Sequence, residues 1–529
     1  MGERGGVGRR SVLKAAAAVG LAAADGLGSG WRAAAAGGGF PQPAVVAAGR
    51  SGLLEHTFDV RFAEVRVPGL GTVVCRAYGG TLPGPTLRVR AGGTLRLTHV
   101  NGLPPDPPHA GGCNTPHRPN SFNLHTHGMH VSPSGWADNV LRVFAPRTAE
   151  QAAAGAPEPQ YASVVHVPAG HPAGTYWYHP HLHGSTAEQL AGGMAGVIVV
   201  EGDVDEVPEI AAAADLVVCV NELKLRDGRV PAFTTGGWLN GVPSVFTVNG
   251  AVNPGLRLRP GEVQRWRLVA ATGFTGLRLR LVGDGAPPTV HQIAQDGVTF
   301  ARPVAVDAVE LSMGNRADVL VRGGAPGRYE LRADGVPGPL LTVEVAGPAV
   351  RPPMGLPAVL PPGRPFLDER DVTDPGACRE VVFHADPGVF PEPFPNAFRM
   401  LGSGATPAAD PAGDPARDPA YGLFDPAFTN HTLRLGAVER WTVRSGESLP
   451  AFHHPFHLHT NPVLVTHRDG RRLDPPVWHD TVGLAGGRPG ESVTLLVRYE
   501  DFTGRTAAHC HQLQHGDLGM MQTVEYVDR

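Results

Sequence analysis

Three stretches of the chain repeat one another, and the repeat limits the fold more than any other feature. "GPTLRVRAGGTLRLTHVN" begins at Gly84, "NPGLRLRPGEVQRWRLVA" at Asn253 and "NHTLRLGAVERWTVRS" at Asn430. Each reads as a strand, a tight glycine-containing turn and a second strand, with the period-two alternation that a half-buried strand requires. The copies fall about 170 residues apart, a domain-sized period, so three related β domains are expected. A second echo runs in step with the first: "AGTYWYHPH" at 173–181, "PGRYELRAD" at 326–334 and "TGRTAAHCH" at 503–511 share a glycine followed by a strand. In the first and third copies that strand ends in His-x-His, whereas Arg332 and Asp334 hold those positions in the middle copy. The middle domain is therefore predicted to keep the fold without the histidines, as a spacer.

Seventy Gly and 52 Pro in 529 residues favour short strands joined by turns over long helices. The predicted class is all-β, with Greek-key sandwich or barrel domains over 50–205, 206–350 and 366–529. The boundaries fall near "EGDVDEVPEI" and within the Pro-rich "GPAVRPPMGLPAVLPPGRPF", where strand pairing is hard to sustain. "GSGATPAADPAGDPARDPAYG", 402–422, reads as a surface loop of the third domain, because residues of this kind bury little. The net charge of −4 is mild and the arginines are scattered, so no nucleic-acid partner is expected.

Residues 1–40 form a different kind of segment. Arg9, Arg10 and Lys14 precede an Ala-rich stretch and the small-residue run Ala33–Ala36, a pattern that resembles a twin-arginine export signal. A disordered tail or a short anchor helix is the plainer alternative. No later apolar run reaches the roughly 18–20 residues of a membrane span, so an extracytoplasmic protein, secreted or periplasmic, is expected. It is expected to act as a monomer. Five cysteines are too few for a disulfide scaffold in a chain of this size. Cys75 and Cys219 read as buried small hydrophobes in strands, and Cys113 and Cys378 as loop residues. Only Cys510 has a chemical setting.

That setting is histidine. Four His-x-His pairs occur: His125 and His127, His179 and His181, His457 and His459, His509 and His511. On a strand, residues two apart share a face and lie roughly 6–7 Å from each other, so both imidazoles can reach one metal or two neighbouring ones. A single pair is more often chance, a surface feature or a core histidine; four pairs, two in the first domain and two in the third, point to a metal cluster at the interface of those domains. Cys510 alternates with His509 and His511 and so faces the other way. With His454, His515 and Met520 it makes up two imidazoles, a thiolate and a weak axial thioether, the blue-copper set. Met520 stands ten residues after Cys510; for Met520, and for Met521 beside it, simple core packing is the alternative.

As a set, "HTHG", "HPHLHG", "HPFHLH" and "HCHQLQHGDLGM" resemble the motifs of the three-domain, laccase-like multicopper oxidases, built from cupredoxin repeats. The resemblance spans nearly all of the chain after the first 40 residues. It implies four coppers: a type 1 ion on His454, Cys510, His515 and Met520; a type 2 ion on His125 and His457; and a type 3 pair, one ion on His127, His179 and His511, the other on His181, His459 and His509. It also implies a reaction in which a small reductant gives up electrons one at a time, Cys510 passes them through His509 and His511, and O2 is reduced to water. Asp138, eleven residues past His127, is a candidate for proton delivery beside the plainer reading of a turn aspartate, and Asp517 is a weaker one. Some bacterial relatives carry a glutamate where Gly516 stands, which puts that relay route in doubt. His130, His183 and His453 adjoin the motifs without a place in the ligand set.

Family-wide, the expected reductants are phenols and aromatic amines, meeting an exposed edge of His515 or His454. A metal-ion oxidase is the alternative. Eight unclustered methionines argue against Cu(I), and an Fe(II) oxidase needs carboxylates near the type 1 ion, for which Asp480 and Asp517 are the candidates. A copper-free cupredoxin envelope protein, a copper carrier and a two-domain nitrite reductase are rivals, each set against by the complete ligand set.

Overall fold

The computed structural model describes residues 39–233, 241–361, 363–385, 398–402, 422–446, 453–484 and 490–528. The export-like segment and nearly all of the 402–422 loop lie outside them. Among the described residues the strands form six sheets, two from each third of the chain, which makes the protein all-β as expected. In the third sheet pair, a five-stranded sheet runs in the spatial order His431–Arg434, Met521–Val527, Gly504–Cys510, His454–Leu458, Thr481–Leu484. The middle pair repeats that order with Gly255–Leu258, Leu341–Val345, Gly327–Ala333, Leu277–Gly283 and Val309–Leu311. In the first pair Thr86–Arg90, Gly196–Glu201, Gly174–His179 and His125–His127 take the same places, with Val45–Ala47 added outside. His125–His127 and His454–Leu458 thus have a counterpart in the middle pair that reads "LRLRL", and Gly174–His179 and Gly504–Cys510 one that reads "GRYELRA".

The repeated stretches form the corners of these sandwiches. In each, the two strands join different sheets: Thr86–Arg90 and Thr94–Asn101, Gly255–Leu258 and Val263–Ala271, His431–Arg434 and Val438–Ser445. The turn between them is the same three times. Gly93, Glu262 and Ala437 donate their N–H to the carbonyls of Arg90, Arg259 and Arg434 at 3.0, 3.1 and 3.2 Å. The third turn residue, Gly92, Gly261 or Gly436, has φ of 81°, 76° or 81°, the left-handed conformation that a type II turn demands and glycine supplies without strain.

Each pair packs its inner faces in the manner of a β-sandwich. Phe58, Tyr78, Leu97 and Phe122 fill the first, and Trp266, Val319, Tyr329 and Val343 the middle one. A larger core runs from Trp177 and Val199 through Cys219 and Val269 into the third pair, where it includes Phe456, Trp441 and Cys510. Buried ions also join the pairs. Arg265 and Arg267 reach Asp318 at 2.5 and 3.3 Å, Arg267 reaches Asp215 at 2.7 Å, and Arg88 of the first pair reaches the same Asp215 at 3.0 Å. No disulfide forms among the five cysteines. Cys75 and Cys219 are buried in strands, while Cys378, expected in a loop, opens the strand Cys378–Ala385 and is exposed. No helix among the described residues is long and apolar enough to cross a membrane.

Candidate metal centre

Strand register assembles the histidines before any side chain is considered. His125 lies opposite His179 across one antiparallel pair, and His457 opposite His509 across another. Directly opposed residues have Cβ atoms about 4.5–5.5 Å apart, so the two pairings together set four imidazole positions of a cluster. The first and third sheet pairs then meet face to face: His125 Nε2 is 3.3 Å from His457 Nε2, and His181 Nε2 is 2.9 Å from His509 Nε2.

The donor atoms fall into triads, each within 4.8 Å of one another: His127, His179 and His511; His181, His459 and His509; His125, His127 and His457; and, on the far side of the Cys510 strand, His454, Cys510 and His515. His454 Nδ1 lies 3.4 Å and His515 Nδ1 3.8 Å from Cys510 Sγ, and the two ring nitrogens are 3.3 Å apart. Met520 packs in the same apolar core as Cys510, whereas Met521 points into a separate cluster with Val140, Phe424 and Ala507. The Cys510 and Met520 backbones are joined by a 3.1 Å hydrogen bond.

These donors suit a metal. His127 Nδ1, His179 Nε2 and both ring nitrogens of His511 are buried with no hydrogen-bond partner, a cost of a few kcal/mol unless a metal takes the lone pair. Burial, reinforced by neighbouring imidazoles, holds His125, His127, His181, His457, His459 and His511 well below the usual histidine range. Burial also lowers His179 to about 3 and His509 to about 4. Neutral imidazole is the form that ligates. A set of imidazoles with one thiolate and one thioether fits copper rather than a hard, oxygen-seeking cation.

The surrounding groups fix the rings. Asp138 faces His125 Nδ1 with both oxygens at 3.0 Å, and the Thr126 N–H donates to it at 2.9 Å. Burial lifts the Asp138 carboxyl to about 7, against the pull of that backbone donor. Asp517 lies elsewhere, accepting the N–H groups of Gly184 and Ala187 at 2.8 Å each, where it ties the segment after His183 to the last helix. Asp480 joins the histidines instead of the Cys510 side: its Oδ1 is 3.0 Å from His127 Nε2, and its backbone carbonyl is 2.8 Å from His457 Nδ1. The indole of Trp177 stacks on His179 at 4.3 Å. His130 bonds Asp501 at 2.7 Å, His183 bonds Asn114 at 3.0 Å and His453 bonds Ser312 at 3.1 Å, all apart from the triads.

Two expectations need correction. No histidine edge is exposed at the Cys510 site, since His454 and His515 are both fully buried. Phe398 stacks on His515 at 4.1 Å and Phe383 on His454 at 5.1 Å, which covers both rings. The middle domain is also more than a spacer, because Gly314 and Arg316 reach the cluster. Short motifs gave no signal for Arg316, Gly314 or Thr481, whose neighbours in the cluster (Asp480, His511 and His127 in turn) stand far off in the chain.

Comparison with known proteins identifies the family. Family models described as multicopper oxidase match residues 113–205, 221–346 and 401–529. The multicopper oxidase mco of Staphylococcus aureus is 21% identical over 454 residues, 85% of this chain and 83% of its own. The cell division protein FtsP of Escherichia coli K12 is 27% identical over 245 residues, 46% of this chain and 45% of its own. Among solved structures, a laccase from Pediococcus acidilactici superposes with a TM-score of 0.71 at 21% identity, covering 92% of this chain and 93% of that one, which establishes the shared fold. With one family description matched in every third of the sequence, over most of its length, the chain belongs to the multicopper oxidases, copper-dependent oxidoreductases that take electrons from a reducing substrate and pass them to dioxygen.

Proposed function

We propose that the chain is a laccase-like oxidase with four coppers, exported by the twin-arginine route that Arg9 and Arg10 suggest. His454, Cys510, His515 and Met520 would hold the type 1 ion and His125 with His457 the type 2 ion. His127, His179 and His511 would hold one type 3 ion, and His181, His459 and His509 the other. Copper, when bound, supplies one-electron redox steps and the capacity for the four electrons that turn O2 into water. The protein's part is placement and electrostatics. The single observation that carries the reading is that Cys510 packs on one side of its strand with Phe456, while His509 and His511, its two covalent neighbours, enter two different triads on the other. One tripeptide therefore links the thiolate site to both imidazole sites through peptide bonds.

Asp138 orients His125 by accepting its Nδ1 hydrogen, and its raised pKa suits a carboxyl that also holds a proton beside the cluster. Phenols and aromatic amines are the proposed reductants, delivering electrons over the Phe398 and Phe383 cover. A metal-ion oxidase is less well supported, because Asp480 is held by Arg316 and Asp517 by backbone N–H groups, and neither carboxylate is free for Fe(II). The likeness to a cell division protein over 46% of this chain raises a second reading, a copper-free cupredoxin protein, against which stands the complete donor set.

The test is Cys510→Ser. Copper-loaded wild type is expected to absorb strongly in the visible through its thiolate and to consume O2 with a methoxyphenol. The variant is expected to keep the fold and lose both the colour and all turnover. Turnover that survives with any reductant would overturn the proposed electron path.

A further inference from the structure

The loop between strands Val309–Leu311 and Arg316–Arg322 of the middle sheet pair carries no imidazole, yet it touches the cluster. Arg316, fully buried, grips Asp480 with both terminal nitrogens, at 2.9 Å to Oδ1 and 2.6 Å to Oδ2. Asp480 Oδ1 lies 3.0 Å from His127 Nε2, and Thr481 donates to the same oxygen at 2.9 Å. The remaining nitrogen, His127 Nδ1, is the one left buried and without a partner. Other rings of the cluster are turned the opposite way. Nδ1 of His179 meets the Pro180 carbonyl at 2.9 Å, and Nδ1 of His509 meets the Cys510 carbonyl at 2.9 Å, so their Nε2 atoms face inward.

Gly314 supplies the room for this. Its φ is +88°, and a Cβ there would lie 2.9 Å from Cε1 of His511, closer than real Cβ atoms tolerate, and 3.0 Å from Cε1 of His127, so that both rings would have to shift. Its carbonyl is held from two sides, by the Trp177 indole N–H at 3.1 Å and by Arg316 at 3.2 Å.

We propose that this loop decides which nitrogen of His127 faces the copper: Arg316 fixes the Asp480 carboxylate, the carboxylate takes the Nε2 hydrogen, and Gly314 leaves the space in which the ring lies. Arg316 and Gly314 are positioning residues that act through Asp480 and through packing, and neither is a ligand. Groups that hold a ligand's other ring nitrogen fix its tautomer, and their loss usually lowers metal affinity about 10–100-fold.

The inference rests on His127 being a ligand, but its first measurement does not. In the full-length, metal-free chain labelled with 15N-histidine, the His127 signal is identified by its absence in His127→Gln. It is expected to report the Nε2–H tautomer in wild type, a mixture in Arg316→Gln, and mostly Nε2–H again in Arg316→Lys. After copper loading, Arg316→Gln is expected to lose at least tenfold in affinity at the histidine cluster while keeping the visible absorption of the Cys510 site. Gly314→Ala leaves the ion pair intact and is expected to show the same copper loss, which keeps the idea testable if Arg316→Gln does not fold. An unchanged His127 tautomer in Arg316→Gln, or full copper content in Gly314→Ala, would overturn the proposal. A tautomer change in a protein whose wild type binds no copper would uphold the positioning and remove the oxidase reading.

Discussion

His125 and Asp138 form a carboxylate–histidine pair in which both carboxylate oxygens stand 3.0 Å from Nδ1, leaving Nε2 to face His457. Replacing Asp138 by Asn retains one acceptor and removes the charge. Oxygen consumption is expected to fall about 10–100-fold, in line with the usual cost of losing such a partner. The visible absorption of Cys510 should not change. Steady-state O2 uptake and an absorption spectrum on the same sample check both statements.

Met520 and Met521 offer an internal control. Only Met520 shares a core with Cys510. Met520→Leu is expected to keep the colour and raise the reduction potential of that site, because a weak axial thioether tunes such centres. Met521→Leu is expected to leave the potential where it was. Redox titration of both variants distinguishes them.

Asp318 holds Arg265 and Arg267 in a buried network and accepts the Thr175 hydroxyl at 2.5 Å. Asp318→Asn removes one of the three carboxylates that balance these two guanidinium groups, leaving Asp205 and Asp215. Breaking a buried pair from one side costs about 3–5 kcal/mol, so the denaturant midpoint should drop markedly. Copper content, measured below that midpoint, should hold.

His99 gives the first sandwich a pH dependence. It stacks on Phe58 at 5.6 Å, its Nε2 is 3.0 Å from the Ser163 hydroxyl, and burial lowers it from 6.5 to about 3. Above pH 6.5 the ring is neutral in folded and unfolded chains, and stability is at its full value. Below that, the unfolded chain takes up the proton and the folded one does not, until pH nears 3. This one group then removes up to about 1.4 kcal/mol per pH unit. Urea unfolding at pH 7 and pH 5 is expected to show a smaller loss in His99→Gln than in wild type.

Much of this was legible in the sequence because the decisive spacings are short. A period of two puts His509 and His511 on one side of a strand and Cys510 on the other, and the packing follows that alternation. The three glycine turns were legible as turns, yet not as corners between sheets, since a type II turn has the same local residues whether its strands pair or part. The cover on His454 and His515 was hidden because Phe383 and Phe398 stand more than 50 residues from either ring. The Arg316–Asp480 pair was hidden for the same reason, its members being 164 residues apart.

The middle sandwich therefore resists removal. A shortened chain that joined the first sheet pair straight to the third would still list every donor atom. It would also lack the carbonyl that receives the Trp177 indole and the cation that steadies Asp480. Such a miniature would own the ingredients of an oxygen-reducing centre and lose the jig that holds one of them at the right angle.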